Sequence, residues 1–130
     1  PSIAVVGLNP HCGDGGIFGL EEINFILPAL KIAQQEGIQA SGPYPADALF
    51  QRVASEKYDA VICMYHDQGM IPVKMNGMSV NITMGLPILR TSVDHGTAYD
   101  IVGRNKASAE NLKLALKTAG RLSQSTLSMQ

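Results

Sequence analysis

Tryptophan is absent from this chain, and aromatic residues together make up only 5% of it. Proteins that bind single-stranded nucleic acid stack the bases on aromatic side chains, so this scarcity argues against that class. No apolar run approaches the roughly 18 residues of a membrane span, and no signal peptide is visible. We therefore expect neither nucleic acid nor a membrane among its partners.

Net charge and cysteine are equally scarce. The chain has 10 basic and 11 acidic residues, a formal net charge of −1, and so offers no basic field to nucleic acid or anionic lipid. Its two cysteines, Cys12 and Cys63, form no CxxC pair. Two cysteines in a chain that can bury a good core do not suggest a disulfide scaffold, so we expect a reducing, cytoplasmic location.

The composition that is present indicates a globular α/β domain. Hydrophobic residues are 45% of the 130 residues and charged residues 16%, which excludes intrinsic disorder and allows a sizeable core. The chain begins at Pro1 without a Met and enters a strand pattern within two residues. We therefore expect it to be a segment of a longer protein.

Short apolar runs alternate with helical periods along the chain. The predicted strands cover 3–8, 58–65, 80–83 and 87–91, and the predicted helices cover 21–38, 45–55 and 108–125. A kink or a new helix is expected at Pro28, and Gly42-Pro43-Tyr44-Pro45 is expected to form a stiff turn. This alternation predicts an α/β fold with a mostly parallel sheet flanked by helices.

All three histidines, His11, His66 and His95, follow predicted strands. Ligands of open α/β sheets bind beyond the carboxyl ends of the strands, and histidine is the commonest metal ligand. His11 and His66 could therefore meet at one cation, within one polypeptide or across a two-fold axis, although such a site needs a third ligand. The alternative is that each histidine caps a turn or lies satisfied in the interior.

Two cations, Lys74 and Arg90, lie near the same predicted edge and could hold an anionic substrate. Ordinary surface charge is the alternative for both. The glycine-rich segment 9–16 is neither GxGxxG nor a P-loop, so it is a weak nucleotide signal.

Four motifs carry a specific resemblance. They are Gly7-Leu8-Asn9-Pro10-His11 with the Gly-Asp-Gly-Gly turn and Glu21-Glu22 that follow, Tyr65-His66-Asp67-Gln68-Gly69, Val80-Asn81-Ile82-Thr83 through Gly85-Leu86-Pro87, and Arg90-Thr91-Ser92-Val93-Asp94-His95-Gly96-Thr97-Ala98. Together they resemble the 4-hydroxythreonine-4-phosphate dehydrogenase family of pyridoxal phosphate biosynthesis. The last motif also resembles the loop that wraps the adenosine end of the nicotinamide cofactor in isocitrate and isopropylmalate dehydrogenases.

The resemblance implies an isocitrate/isopropylmalate dehydrogenase-like fold, of which this chain is the C-terminal half of a two-domain subunit. It implies that residues 1–104 form an α/β part that binds metal and substrate, and that 105–130 form a C-terminal helix. It also implies a homodimer whose active sites take residues from both subunits.

The resemblance further implies roles for ten residues. His11 and His66 would bind a divalent metal (zinc, cobalt or magnesium) with a third, upstream histidine that has no counterpart here. Lys74, Asn81 and Arg90 would contact a small phosphorylated hydroxy-amino acid. The cofactor, NAD or NADP, would be bound by Asp94, His95, Gly96, Thr97 and Asp100. No general base is identified.

The activity that the resemblance implies is oxidation of 4-phosphohydroxy-L-threonine at its C3 hydroxyl, followed by decarboxylation, in vitamin B6 biosynthesis. One alternative is a dehydrogenase of a phosphorylated four-carbon sugar acid, such as erythronate or threonate 4-phosphate. Another is a non-catalytic dimerising fragment. We expect the 130 residues alone to be inactive or nearly so.

Overall fold

The structure is a computed structural model that describes residues 1–56 and 58–127. The chain divides into two compact units, residues 1–75 and residues 76–130. None of the helices in the described ranges has the length and apolar character that a membrane span requires.

A three-stranded parallel sheet organises residues 1–75. The strand β1 (Ser2–Val6) is central, with β2 (Gln39–Tyr44) on one side and β3 (Ala60–Ile62) on the other. Val5 stands opposite Ile62, so β1 and β3 end side by side. Parallel neighbours are about 4.8 Å apart, which brings the segments that leave these two strands close together.

Helices follow each strand of this sheet. A π-helical turn, Glu22–Ile26, runs directly into α1 (Leu27–Gln35), and α2 (Ala46–Glu56) and α3 (His66–Met75) come later. Pro28 lies in the first turn of α1, directly after the π-helical turn, so the helix changes from π to α at this proline; proline is tolerated in the first turn of an α-helix. The predicted change of helix at Pro28 is therefore confirmed.

The central strand is buried on both faces, as its continuous apolar run predicts. Val5 packs in one cluster and Ala4 and Val6 in another. The buried partners on the two faces are, respectively, Ile26, Leu30 and Ala40, and Leu49. The sheet is thus covered by α1 on one face and by α2 on the other.

Two segments of this unit differ from the prediction. The expected stiff turn around Pro43 belongs to β2; a residue without an N–H is tolerated there because β2 lies at the edge of the sheet. The segment after β3, expected as a loop, forms α3 despite Pro72 inside it. Asp67 in its first turn and Lys74 in its last turn complement the helix dipole and favour this helix.

Residues 76–130 contain an antiparallel hairpin and one long helix. The hairpin pairs β4 (Val80–Thr83) with β5 (Arg90–Val93), and the helix α4 (Glu110–Leu127) contacts both strands. The mostly parallel expectation therefore holds for the sheet of residues 1–75 and not for this pair. Thr91 Oγ1 donates to the Ala115 carbonyl at 3.1 Å and fastens β5 to α4.

The boundaries in this unit are close to those predicted. The strand 80–83 is confirmed, whereas the fourth strand begins at Arg90 rather than at residue 87. The predicted helix 108–125 begins at Glu110, whose amide donates to Ser108 Oγ at 3.3 Å. Residues 128–130, the end of the predicted C-terminal part, lie outside the described residues.

Candidate active site

A left-handed turn carries His11 beyond the carboxyl end of β1. Residues 11–15 all have a positive φ, between 45° and 81°, and His11, Cys12 and Asp14 among them are not glycine. This conformation brings the Cβ of an L-residue too close to the following carbonyl oxygen. Such backbone persists only where the surroundings hold it, and it clusters at functional sites.

A buried carboxylate grips the residue that leads into this turn. Glu22 is 2% exposed; its Oε1 accepts the Asn9 backbone N–H at 2.7 Å and its Oε2 accepts Asn9 Nδ2 at 2.9 Å. Burial by itself raises the pKa of Glu22, but the hydrogen bonds from Asn9 and from nearby backbone amides outweigh it. The pKa therefore lies below its ordinary value, and the carboxylate is ionised at neutral pH.

A second buried side chain, Gln68, joins the ends of β1 and β3. Its Nε2 donates to the Gly7 carbonyl at 2.8 Å, and its Oε1 accepts the Met64 N–H at 2.7 Å. Gln68 lies two residues after His66, at the start of α3. The amide therefore ties the segment that leads to His66 to the segment that leads to His11.

The imidazole of His11 is exposed and lines a cleft of about 220 Å³. Side chains of Asn9, Asp47, Tyr65 and Gln68 line the same cleft. The ring of Phe18 meets the His11 ring edge-on, with centroids 6.2 Å apart. His66 is also exposed, at the first position of α3, and is not among the residues that line this cleft.

These histidines fit a metal in chemistry but not in number. Imidazole nitrogen suits zinc and cobalt, but a catalytic centre of this kind takes three protein ligands and keeps one position open. Within residues 1–56 and 58–127, the His, Cys, Asp and Glu side chains form no group of three or more that could hold an ion. A complete centre would need a ligand from outside the described residues.

Neither cysteine is an activated nucleophile. Both are free thiols; burial raises the pKa of Cys12, and the negative charge of Glu22 raises it further. Burial likewise raises the pKa of Cys63. The thiolate is the reactive form of cysteine, and a raised pKa disfavours that form at both positions.

The predicted substrate residues of the second unit share one face of its hairpin. Thr83 stands opposite Arg90, and Asn81 stands opposite Ser92, so Asn81 and Arg90 are diagonal neighbours on that face. Arg90 Nη1 donates to Thr83 Oγ1 at 2.8 Å, which orients the guanidinium. Lys74, the third predicted residue, lies in the first unit, exposed in the last turn of α3.

The loop after β5 forms a cleft of about 750 Å³. His95, Gly96 and Thr97 line it, together with Lys106 and Asn111. Asp94 and Asp100, also predicted to bind the cofactor, are not among the lining residues.

The carboxylate of Asp94 holds the base of this loop. Its Oδ1 accepts Asn111 Nδ2 at 3.2 Å, and its Oδ2 accepts the Ser79 hydroxyl. The side chain thereby joins the residues before β4, after β5 and in the first turn of α4. We read its contribution as holding the loop in place around the cleft.

Two residues of the site, Glu22 and Gln68, went unassigned from the sequence. A signal exists for Glu22: it lies four residues before Ile26 and eight before Leu30, both buried, on the helix face that turns inward. A carboxylate on that face must find donors inside the protein. Gln68 carries no comparable pattern, because its two partners, Gly7 and Met64, lie in the segments that follow two different strands.

The model of the family described as pyridoxal phosphate biosynthetic protein PdxA matches residues 1–119. The chain belongs to the PdxA family. A 4-hydroxythreonine-4-phosphate dehydrogenase of Geobacter metallireducens is 57% identical over 124 residues, which are 94% of this chain and 37% of that protein. The family resemblance read from the four motifs is therefore confirmed.

Two further PdxA-like proteins bear on the site. A Symbiobacterium thermophilum protein with the provisional name D-threonate 4-phosphate dehydrogenase is 52% identical over 123 residues, 93% of this chain and 37% of that protein. A crystal structure of 4-hydroxythreonine-4-phosphate dehydrogenase from Klebsiella pneumoniae superposes with a TM-score of 0.79 at 47% identity, over 92% of this chain and 37% of that one. The chain thus spans a little over a third of the PdxA proteins that it matches.

Proposed function

We propose that this chain is part of an NAD(P)-dependent 4-hydroxythreonine-4-phosphate dehydrogenase of vitamin B6 biosynthesis. The observation that carries the proposal is the match of residues 1–119 to the PdxA family. The hairpin face with Asn81 and Arg90 and the cleft beside His95 support it, because a dehydrogenase needs an anion-holding face and a cofactor site.

In the proposed reaction, 4-phosphohydroxy-L-threonine loses hydride from C3 to the nicotinamide and a proton from its C3 hydroxyl. The 3-oxo acid then loses its carboxylate as CO2; the electron pair of the broken bond stays on C2, which takes up a proton. Lys74 and Arg90 are assigned to the anionic groups of the substrate and Asn81 to a polar group, which holds C3 toward the cofactor. The guanidinium of Arg90 can hold a phosphate or carboxylate through two parallel hydrogen bonds.

His95, Gly96 and Thr97 are assigned to NAD or NADP, since all three line the large cleft. Asp100, on the single helical turn Tyr99–Ile101, is assigned to the cofactor as well. Asp94 is assigned there through the loop that it holds. Ala98, Ile101 and Val102 also line the cleft, and a mostly apolar cleft with a few placed polar groups is the usual form of a cofactor site.

His11 and His66 are assigned as two ligands of a divalent metal, and a third comes from elsewhere in the whole protein or its dimer mate. A bound metal would supply Lewis-acid chemistry. The proposal includes a homodimer, because two imidazoles do not complete a metal centre and a second subunit could supply the third ligand. The free thiols of Cys12 and Cys63 support a cytoplasmic location.

A second candidate is oxidation of D-threonate 4-phosphate, which the Symbiobacterium relative favours. Its substrate differs from phosphohydroxythreonine at C2, where a hydroxyl replaces the ammonium group. Both molecules present a carboxylate and a phosphate to the same cations. The two functions are therefore separated by the group that faces C2.

The full-length protein, assayed for NAD+ and NADP+ reduction with each substrate, tests both candidates. We expect phosphohydroxythreonine to have the higher kcat/KM. Arg90→Ala should raise the substrate KM about 10- to 100-fold, because a charge-assisted hydrogen bond contributes about 1.5–3 kcal/mol. Arg52→Ala, which removes an exposed arginine paired only with Glu56 among the described ion pairs, is the control. Absence of reduction with both substrates overturns the proposal.

A further inference from the structure

The turn at Pro10–Gly16 depends on where Asn9 stands. At the start of the turn the Cys12 N–H donates to the Asn9 carbonyl at 3.1 Å. At its end the Phe18 N–H donates to the Gly13 carbonyl at 3.0 Å. Three L-residues between these points have left-handed backbone. Because that backbone is unfavourable for them, the turn needs an anchor outside itself.

Glu22 meets the requirements of such an anchor. It is almost fully buried and bonds both the backbone and the side chain of Asn9. Neither ion pair in the described part of the chain includes it, so hydrogen bonds carry the stabilisation of its charge. A buried ionised carboxylate with such partners is held in one place, because leaving them is costly.

The carboxylate is also packed against the turn on both sides. A Cβ at Gly7 would lie 3.0 Å from Glu22 Oε1, and one at Gly13 would lie 3.0 Å from Glu22 Oε2. Glycine at these two positions lets the chain close around the carboxylate before and after His11. The left-handed turn therefore packs directly against the Glu22 carboxylate.

We infer that Glu22 is a positioning residue, whose buried carboxylate fixes Asn9 and the left-handed turn and so sets where the His11 imidazole stands. The inference rests on the proposed function, which gives His11 its role at the site. Glu22 itself is nearly buried and acts only through the turn.

The test compares Glu22→Gln with Glu21→Gln in the full-length protein. Glutamine has the size of glutamate but carries no charge. One of its two terminal groups is an NH₂, which would face a donor of Asn9 where the Glu22 carboxylate now accepts a hydrogen bond. Glu21 is the matched control, because it reaches only Asn9 Nδ2, at 2.7 Å. Hydrogen exchange of peptides that cover residues 10–16 reports on the turn, and calorimetric titration with zinc reports on His11.

We expect Glu22→Gln to speed exchange in the turn at least about tenfold, with α4 unchanged as an internal reference. Zinc affinity should fall about 10- to 100-fold, the usual effect of losing a group that orients a metal ligand. Glu21→Gln should change either quantity less than about threefold. If Glu22→Gln does not fold, Asn9→Ala, which removes the side-chain donor and keeps the backbone donor, should move both quantities in the same direction.

Wild-type exchange in the turn of Glu22→Gln, or of Asn9→Ala where Glu22→Gln does not fold, overturns the inference. Unchanged zinc affinity in a loosened turn overturns it as well. Failure of the proposed function looks different. In that case the wild-type protein reduces neither cofactor with either substrate, while the exchange measurement still decides whether Glu22 holds the turn.

Discussion

Replacing Gln68 with leucine should loosen the junction between β1 and β3 more than any surface glutamine would. Leucine has a similar volume but no polar atoms, so the change leaves the Met64 N–H and the Gly7 carbonyl without the bonds that Gln68 makes to them at 2.7 and 2.8 Å. A buried polar group that loses its partner costs about 1–3 kcal/mol. Two such groups together cost about 2–6 kcal/mol.

Native-state hydrogen exchange on the full-length protein measures this loss locally. Each 1.4 kcal/mol is a factor of ten, so amides of β1 and β3 should exchange at least about 25-fold faster in Gln68→Leu. The matched control is Gln34→Leu, because Gln34 also donates its amide to a carbonyl, that of Ala40 at 2.8 Å, but is itself exposed. Its effect should stay within about 0.5 kcal/mol. Equal effects of the two variants would refute the reasoning.

Three other predictions concern the site. His66→Ala should lower the zinc affinity of the full-length protein at least about tenfold, whereas His95→Ala should leave it unchanged in the same titration. The stability that Glu22 contributes is fully present above its unfolded pKa, near 4.5, and is lost as the pH falls through its lower folded pKa. The difference in denaturation midpoint between wild type and Glu22→Gln should therefore become smaller in acid. A difference that grows in acid would contradict the lowered pKa of Glu22. Asp94→Asn should raise the KM for the cofactor several-fold with kcat nearly unchanged, because one carboxylate that bonds Ser79 and Asn111 is lost; steady-state kinetics that show only a lower kcat would argue against this role.

The parts of the fold that could be predicted are those set by local pattern. The apolar run at 3–8 indicates a doubly buried strand, and β1 is buried on both faces. The period of α4 likewise survives in the structure from Glu110 onward. In both cases the element follows from the pattern of neighbouring residues, although Leu112 and Leu116 on the apolar face of α4 are exposed.

The parts that could not be predicted depend on contacts between distant segments. A stretch with Gly42 and Pro43 indicates a turn, and only its pairing with β1, at the edge of the sheet, makes it a strand. The same holds in the site. The three histidines can be picked out in the sequence by their residue type. The role of Gln68 depends on its hydrogen bond to the Gly7 carbonyl, sixty-one positions away, which the sequence does not show.

The turn that carries His11 has the left-handed backbone conformation that L-amino acids ordinarily avoid. Backbone angles near φ +50° are strained for the L-residues His11, Cys12 and Asp14. For D-amino acids the same angles are favoured, because they mirror the right-handed helical region of L-residues. A protein assembled by chemical ligation with D-alanine in place of Cys12 should therefore be stiffer at this point. Here a building block of the opposite hand suits the fold better than the natural one.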